Sequence, residues 1–270
     1  MAGDSGLPDF ANPPVDETAL SIQFAQIPGF SIPHFGLFWA RIRSDYPQFQ
    51  IQDPIASVTE LPAPAPRTGP IGFPAFSDLR CWFLDKPGTR LIQVQHNRFI
   101  HNWRRLKGDE EYPRYPSVRE TLERDWGRFC EFLASEKLEP PKINQCEVTY
   151  VNNIEYEKGW KGYGELDKVV ATLATPKNKR KFLPDPELIR MQVTYGLDQP
   201  NAGRLYVSFT PVIRGRDGKE VLQMSLTARG APQSSSTEDA FRWLDMGRRW
   251  VVRGFADFTT EEMHKVWGKK

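Results

Sequence analysis

Two segments constrain the fold more than any other part of the chain: Leu91-Ile92-Gln93-Val94-Gln95-His96-Asn97-Arg98-Phe99 and Asn144-Gln145-Cys146-Glu147-Val148-Thr149-Tyr150-Val151-Asn152. Both alternate with period two, so residues i and i+2 share one face of a strand. Ile92 and Val94 point one way, and Gln93, Gln95 and Asn97 the other. In the second segment Val148 and Tyr150 oppose Gln145, Glu147 and Thr149. Amides and a carboxylate repeated along a strand face either meet solvent or build a hydrogen-bonded patch. A buried polar group left without a partner costs about 1–3 kcal/mol. Gln93, Gln95 and Glu147 are therefore expected on neighbouring strands, facing the same side.

The rest of the pattern places helices between runs of strands. Leu20–Phe24 alternates as a strand, and Ser31 can cap a helix carrying Phe35, Phe38, Trp39 and Ile42, ending before Pro47. Leu61–Phe76 holds five prolines, which cannot donate to a ladder, so it reads as an extended connector. Arg80–Leu84 and Leu91–Ile100 read as a hairpin around Asp85-Lys86-Pro87-Gly88. Ser117-Val118-Arg119-Glu120 has the form of a capping box, opening a helix with Val118, Leu122, Trp126, Phe129 and Leu133 on one side. After a strand from Gln145 to about Glu155 comes an irregular stretch, where Lys177-Asn178-Lys179-Arg180-Lys181 reads as a solvated loop. Leu188–Tyr195, Arg204–Ile213 and Glu220–Ala228 read as a meander, its last turn at Asp217-Gly218. Ser235-Ser236-Thr237-Glu238 opens a long helix, and Thr259-Thr260-Glu261-Glu262 starts a short terminal one.

Strands joined by tight turns are antiparallel, and helices of this size cover one sheet face. The expected class is α+β: an N-terminal half over 1–140 and a C-terminal half over 141–270, each backed by a helix. The outline is helix-grip-like by analogy, and the two halves could share one sheet.

Bulk properties exclude several function classes. Hydrophobic content of 39% with eight Trp describes a folded chain rather than a disordered one. Lys+Arg 36 against Asp+Glu 34 gives +2, which supplies no global attraction for nucleic acid. No apolar run approaches the ~18 residues of a membrane span, and the first residues lack the features of a secretory signal. Cys81, Cys130 and Cys146 are odd in number and widely spaced, as in buried thiols of a cytoplasmic protein.

Searches for chemistry return no cofactor and no catalytic residue. His96 and His101 fall on opposite faces of a strand, and Cys146 cannot use the adjacent Glu147 as a base for the same reason. Gly159-Trp160-Lys161-Gly162-Tyr163-Gly164 matches no nucleotide fingerprint. Arg98, Asn102, Trp103 and Arg104, followed by Tyr112, Arg114 and Tyr115, interleave cations with rings. That mixture suits single-stranded nucleic acid or a structural stack of Arg on Trp. In the tail, Met263, Val266 and Trp267 make one apolar stripe with His264 beside it. A helix this short must dock, because isolated helices under ~12–15 residues are marginal in water.

Asn12-Pro13-Pro14-Val15, Leu91–Gln95, Arg98-Phe99, Asn102-Trp103, Tyr112–Tyr115, Gln145–Tyr150 and Thr259–Trp267 resemble a sporadically distributed family of uncharacterised bacterial and archaeal proteins of about this length, designated only by a model number. The resemblance covers nearly the whole chain and implies a stand-alone prokaryotic protein, with no activity to carry over. Such a distribution would suit cargo of mobile or defence islands. The leading expectation is a non-catalytic binding or assembly module. Its contacts are Gln93, Gln95, Asn97, Arg98, Gln145, Glu147 and Thr149 on the strand faces, or Asn102, Trp103, Arg104, Tyr112, Arg114 and Tyr115. The partner is another protein or a second copy. A small-molecule protein with a pocket between sheet and long helix comes second, and a nucleic-acid accessory subunit third. His264 and Trp267 are the tail contacts, expected to dock on the chain itself.

Overall fold

The sheet grows outward from two central strands, β1 (Val15–Phe24) and β6 (Ile143–Glu155), which pair antiparallel along their length. The computed structural model describes residues 6–56, 60, 79–173, 182, 184–197 and 203–270. From β1 the chain passes through α1 (Ile32–Ile42) to an outer strand, β2 (Gln48–Gln52). It then returns through β3 (Arg80–Leu84), β4 (Arg90–Gln95) and β5 (Arg98–Arg104) to pair with β1 on its free side. The second half repeats this route: from β6 to the far edge β7 (Met191–Gly196), then back through β8 (Arg204–Ile213) and β9 (Glu220–Gly230) to β6. Among the described residues this makes one nine-stranded antiparallel sheet, ordered β2-β3-β4-β5-β1-β6-β9-β8-β7. Each half closes with a 22-residue helix, α2 (Arg114–Ser135) and α3 (Thr237–Phe258). A short α4 (Glu261–Val266) follows.

All the helical mass lies on one sheet face, because alternation gives each strand one apolar side to cover. Leu20, Ile22, Ile92, Val94, Phe99, Val148, Val207 and Leu226 line that side and are buried. Aromatic rings dominate the packing: Phe129 of α2 meets Phe99 at 5.3 Å and Phe38 of α1 at 5.3 Å. Trp126 sits 5.9 Å from Phe24 and donates its indole N–H to Thr237 Oγ1 at 3.0 Å, tying α2 to the start of α3. α3 lies close to the sheet at Gly254, where a Cβ would come within 2.7 Å of Leu205 Cδ2.

Several expectations change. Leu91–Ile100 is not one strand but β4 and β5, joined by a two-residue turn at His96-Asn97. The alternation ran through the turn unnoticed because Gln95 and Arg98 pair across it and so share a face. Asn97 is consequently a turn residue, and Arg98 rather than Asn97 continues the polar row. α2 starts at Arg114, placing Ser117 inside the helix rather than at its cap. Pro113 and Pro116 are tolerated there because first-turn N–H groups have no intrahelical partner. At α3 the cap is Ser236, which accepts from Asp239 N, one residue later than the sequence box. β7 begins at Met191 rather than Leu188, and β2 was not anticipated. Leu61–Phe76 and Lys177–Lys181 lie outside the described residues.

Candidate functional site

The face away from the helices is where the polar alternation collects. Ladder registers align Trp82, Gln93, Ile100, Ser21, Glu147 and Arg229 in one row across β3, β4, β5, β1, β6 and β9. The neighbouring row holds Arg80, Gln95, Arg98, Gln23 and Gln145. Gln93, Gln95 and Glu147 therefore share a face, as the alternation predicts, but they do not lie on neighbouring strands. β5 and β1 stand between β4 and β6, so Gln93 and Glu147 are three strand spacings apart, roughly 14 Å.

Gln93, Gln95, Arg98, Gln23 and Gln145 are buried, Arg80, Glu147 and Arg229 half-buried, and hydrogen bonds and ion pairs link them to their neighbours. Gln93 Oε1 accepts from Arg80 Nη1 and Trp82 Nε1, both at 2.9 Å, and Gln93 Nε2 donates to Asn102 Oδ1 at 2.8 Å. Asn102 Nδ2 donates onward to Glu17 Oε1 at 2.6 Å. Burial raises the pKa of Glu17, with that hydrogen bond pulling the other way. Arg98 donates to Gln23 Oε1 at 2.6 Å, and its own pKa is lowered by burial. Glu147 pairs with Arg229 at 2.5 Å and accepts from Thr149 Oγ1 at 3.4 Å.

What the network grips is peptide backbone. Gln95 treats Ile55 as a strand would: its Oε1 accepts from Ile55 N at 2.9 Å and its Nε2 donates to Ile55 O at 3.0 Å. Arg80 Nε donates to Asp53 O at 2.8 Å and Arg98 Nη2 to Ala56 O at 3.4 Å. Further across, Gln145 Oε1 accepts from Glu60 N at 3.1 Å. The Glu60 carboxylate receives Arg204 at 2.6 Å, Tyr206 at 2.7 Å and Arg229 at 3.6 Å. Asp53, Ile55, Ala56 and Glu60 are thus held by side chains of β3, β4, β5, β6, β8 and β9. Glu60 and the residues after β2 carry no local signal, because their partners lie 27 to 146 positions away.

β2 is the exposed consequence. Among the described residues it pairs only with β3, and its sequence Gln48-Phe49-Gln50-Ile51-Gln52 has neither charge nor proline. Phe49 is 57% exposed and Ile51 62%, with the Trp39 ring of α1 tilted 58° against Phe49 at 5.4 Å. The same period-two signal that marked β4 and β6 would have found this strand, had five residues been taken as enough.

The aromatic-basic segment does not gather on one surface. Trp103 faces the helices and is buried, while Arg104 on the opposite face stacks on Trp82 at 5.4 Å. Tyr112 and Tyr115 are core residues, donating to Tyr150 at 2.9 Å and to Asp245 at 2.7 Å. Arg105 turns to Glu110 O, and Arg114 to Asp9 and to the Phe10 and Ala11 carbonyls. Neighbouring strand residues face apart, so Trp103 and Arg104 separate, whereas Arg98 and Arg104 share the face away from the helices.

The tail docks on the chain itself. Trp267 packs 5.0 Å from Phe255 and 6.2 Å from Phe10, and Met263 is fully buried. Val266, expected in the same stripe, is 44% exposed. His264 is buried, meets Thr259 Oγ1 at 2.9 Å, and has its pKa lowered by burial and then by Lys269. A second buried cluster joins Asp125 to Tyr46 at 2.5 Å and to His101 at 3.6 Å. All three are at most 2% exposed and tie α2 to β5 and to the turn after α1.

Among the described residues no group of three His, Cys, Asp or Glu could hold a metal, and no helix is long and apolar enough to cross a membrane. The chain matches no family model, no curated protein and no solved structure.

Proposed function

We propose that this protein is a non-catalytic assembly module that associates with a second copy of itself through the open edge β2. The observation carrying this reading is the edge itself: an uncharged strand with two large apolar side chains in water. Exposed edges of this kind pair with other chains unless charge, proline or a bulge blunts them. The sequence is self-complementary. A twofold axis through Gln50 would set Phe49 opposite Ile51 and Gln48 opposite Gln52, as an isologous antiparallel contact requires. Aromatic and β-branched residues paired across strands contribute about 0.2–1 kcal/mol each. The polar face then has a role: by pinning Asp53 to Ala56 and Glu60, it holds the strand before them as a preformed edge. We retain the helix-grip comparison for each half, since each wraps a meander onto one long helix.

The test is the mass of the protein in solution by light scattering, with Ile51→Lys alongside. The reading expects a dimer that becomes a monomer in the variant with its melting temperature nearly preserved, because Ile51 is 62% exposed on an edge strand. A monomeric wild-type protein overturns it, and so does a dimer that Ile51→Lys leaves intact.

A further inference from the structure

A cavity of about 480 Å³ lies on the helix-covered side of the sheet, between α3, the start of α2, and the centre of the sheet at β1 and β6. Its volume is within the range of small-molecule sites. Gln93, Gln95 and Glu147 take no part in it. Val251, Val252 and Phe255 of α3, with Leu226 of β9, give it an apolar wall. Both ends of the described chain close over it: Ala11 N donates to Gly268 O, Asn12 N to Trp267 O, and Lys270 N to Asp9 O.

Its charge is one-sided. Three cationic side chains line it, Arg114, Arg248 and Lys270, against a single acid, Asp9. Arg248 is stacked 4.9 Å over the Tyr115 ring, which fixes the guanidinium at the wall. α2 opens there with no side-chain cap and no acidic residue in its first turn, so its positive end is uncompensated by its own sequence. Arg114 itself sits at φ 64°, a left-handed conformation uncommon for a side chain other than glycine or asparagine. That backbone turn delivers its guanidinium to Asp9.

Asp9 shows what the cations accept. Its carboxylate bonds Lys270 Nζ at 2.7 Å and Arg114 Nη1 at 3.1 Å, and its side chain is 48% exposed. A carboxylate therefore already occupies the cationic end of an apolar cavity, tethered by the chain at a solvent-facing position. We propose that this cavity binds a small carboxylic acid with an apolar body, whose head displaces Asp9 from Arg114 and Lys270 and whose body lies along Val251, Val252 and Phe255. Asp9 acts as an internal competitor that keeps the cations paired when no ligand is bound. This inference is independent of association through β2.

Decanoate titrated calorimetrically into the full-length protein tests it, with decanol as the uncharged control and Asp9→Asn as the variant. Asparagine keeps a carbonyl acceptor for Lys270 but removes the competing charge. Decanoate is expected to bind the wild-type protein and to bind Asp9→Asn roughly tenfold more tightly, as loss of one charge-assisted competitor implies. Decanol should bind neither as well. Phe255→Asp, placing a like charge in the apolar wall, should abolish binding, and a melt shows whether that variant folds. Three results each overturn the proposal: no decanoate binding to wild-type protein or Asp9→Asn, equal affinity in the two, or decanol binding as tightly as decanoate.

Discussion

Replacing Gln95 with Met isolates the clamp on the segment after β2. Methionine keeps the unbranched shape and length of the side chain but has neither the amide donor nor the carbonyl acceptor. The variant loses hydrogen bonds to Ile55 N at 2.9 Å, to Ile55 O at 3.0 Å and to Asn97 Oδ1 at 3.1 Å. A net hydrogen bond contributes about 0.5–1.5 kcal/mol, and more where a buried group is left unmatched. Gln95 is 3% exposed, whereas Ile55 is only half-buried and its backbone can turn to water. The total should therefore lie near the lower end, about 1–3 kcal/mol. Most of that should appear as local opening, because β4 keeps its ladders to β3 and β5. At about 1.4 kcal/mol per factor of ten, the Ile55 amide should exchange with solvent deuterium roughly five- to a hundredfold faster. Amides of β1 and β6 at the sheet centre should keep their wild-type rates. Unchanged exchange at Ile55 would refute the clamp, and equal acceleration throughout the sheet would show that Gln95 supports the fold rather than the strap.

Trp126→Ala should destabilise the protein by about 3–5 kcal/mol, since the ring is 2% exposed between Phe24, Phe99 and Phe129 and its N–H is bonded to Thr237. A thermal melt checks this, and a nearly unchanged midpoint would contradict the core assignment. Asp125 should contribute to the acid limb of stability. Burial raises its pKa, but the nearby His101 imidazole, the Tyr46 hydrogen bond and the Arg124 charge outweigh that and hold it below the ordinary 3.8. With the folded value below the unfolded one, the contribution is present above pH ~4 and is lost as pH falls through the folded pKa. Urea midpoints measured from neutral pH downward should fall less steeply for Asp125→Asn than for wild type, and parallel curves would exclude the cluster as a source of acid sensitivity.

Local chemistry in the sequence determined the elements and the face each one presents. Arg204–Ile213 is a strand with the expected bounds, Arg214–Lys219 closes its turn at Asp217-Gly218, and the alternation of β4 and β6 sorts apolar from polar sides correctly. These follow from i to i+2 geometry and turn residues, which a short window contains. Strand order did not. Nothing in Gln93 or Glu147 records that β5 and β1 separate them, because adjacency comes from which chain segments dock, and alternation is identical for every order. Nor did the sequence distinguish an amide that meets water from one that holds Ile55, 40 residues distant. Trp103 and Arg104 looked like one binding motif and became a core ring and a face cation, since strand neighbours point apart. Tertiary structure alone brought Glu60 to Arg204 and Asp9 to Lys270, across separations of 144 and 261 residues. Loop closure over such lengths adds only a slowly growing entropic cost, so burial and pairing at the far end decide it, and neither has a signature at the near end.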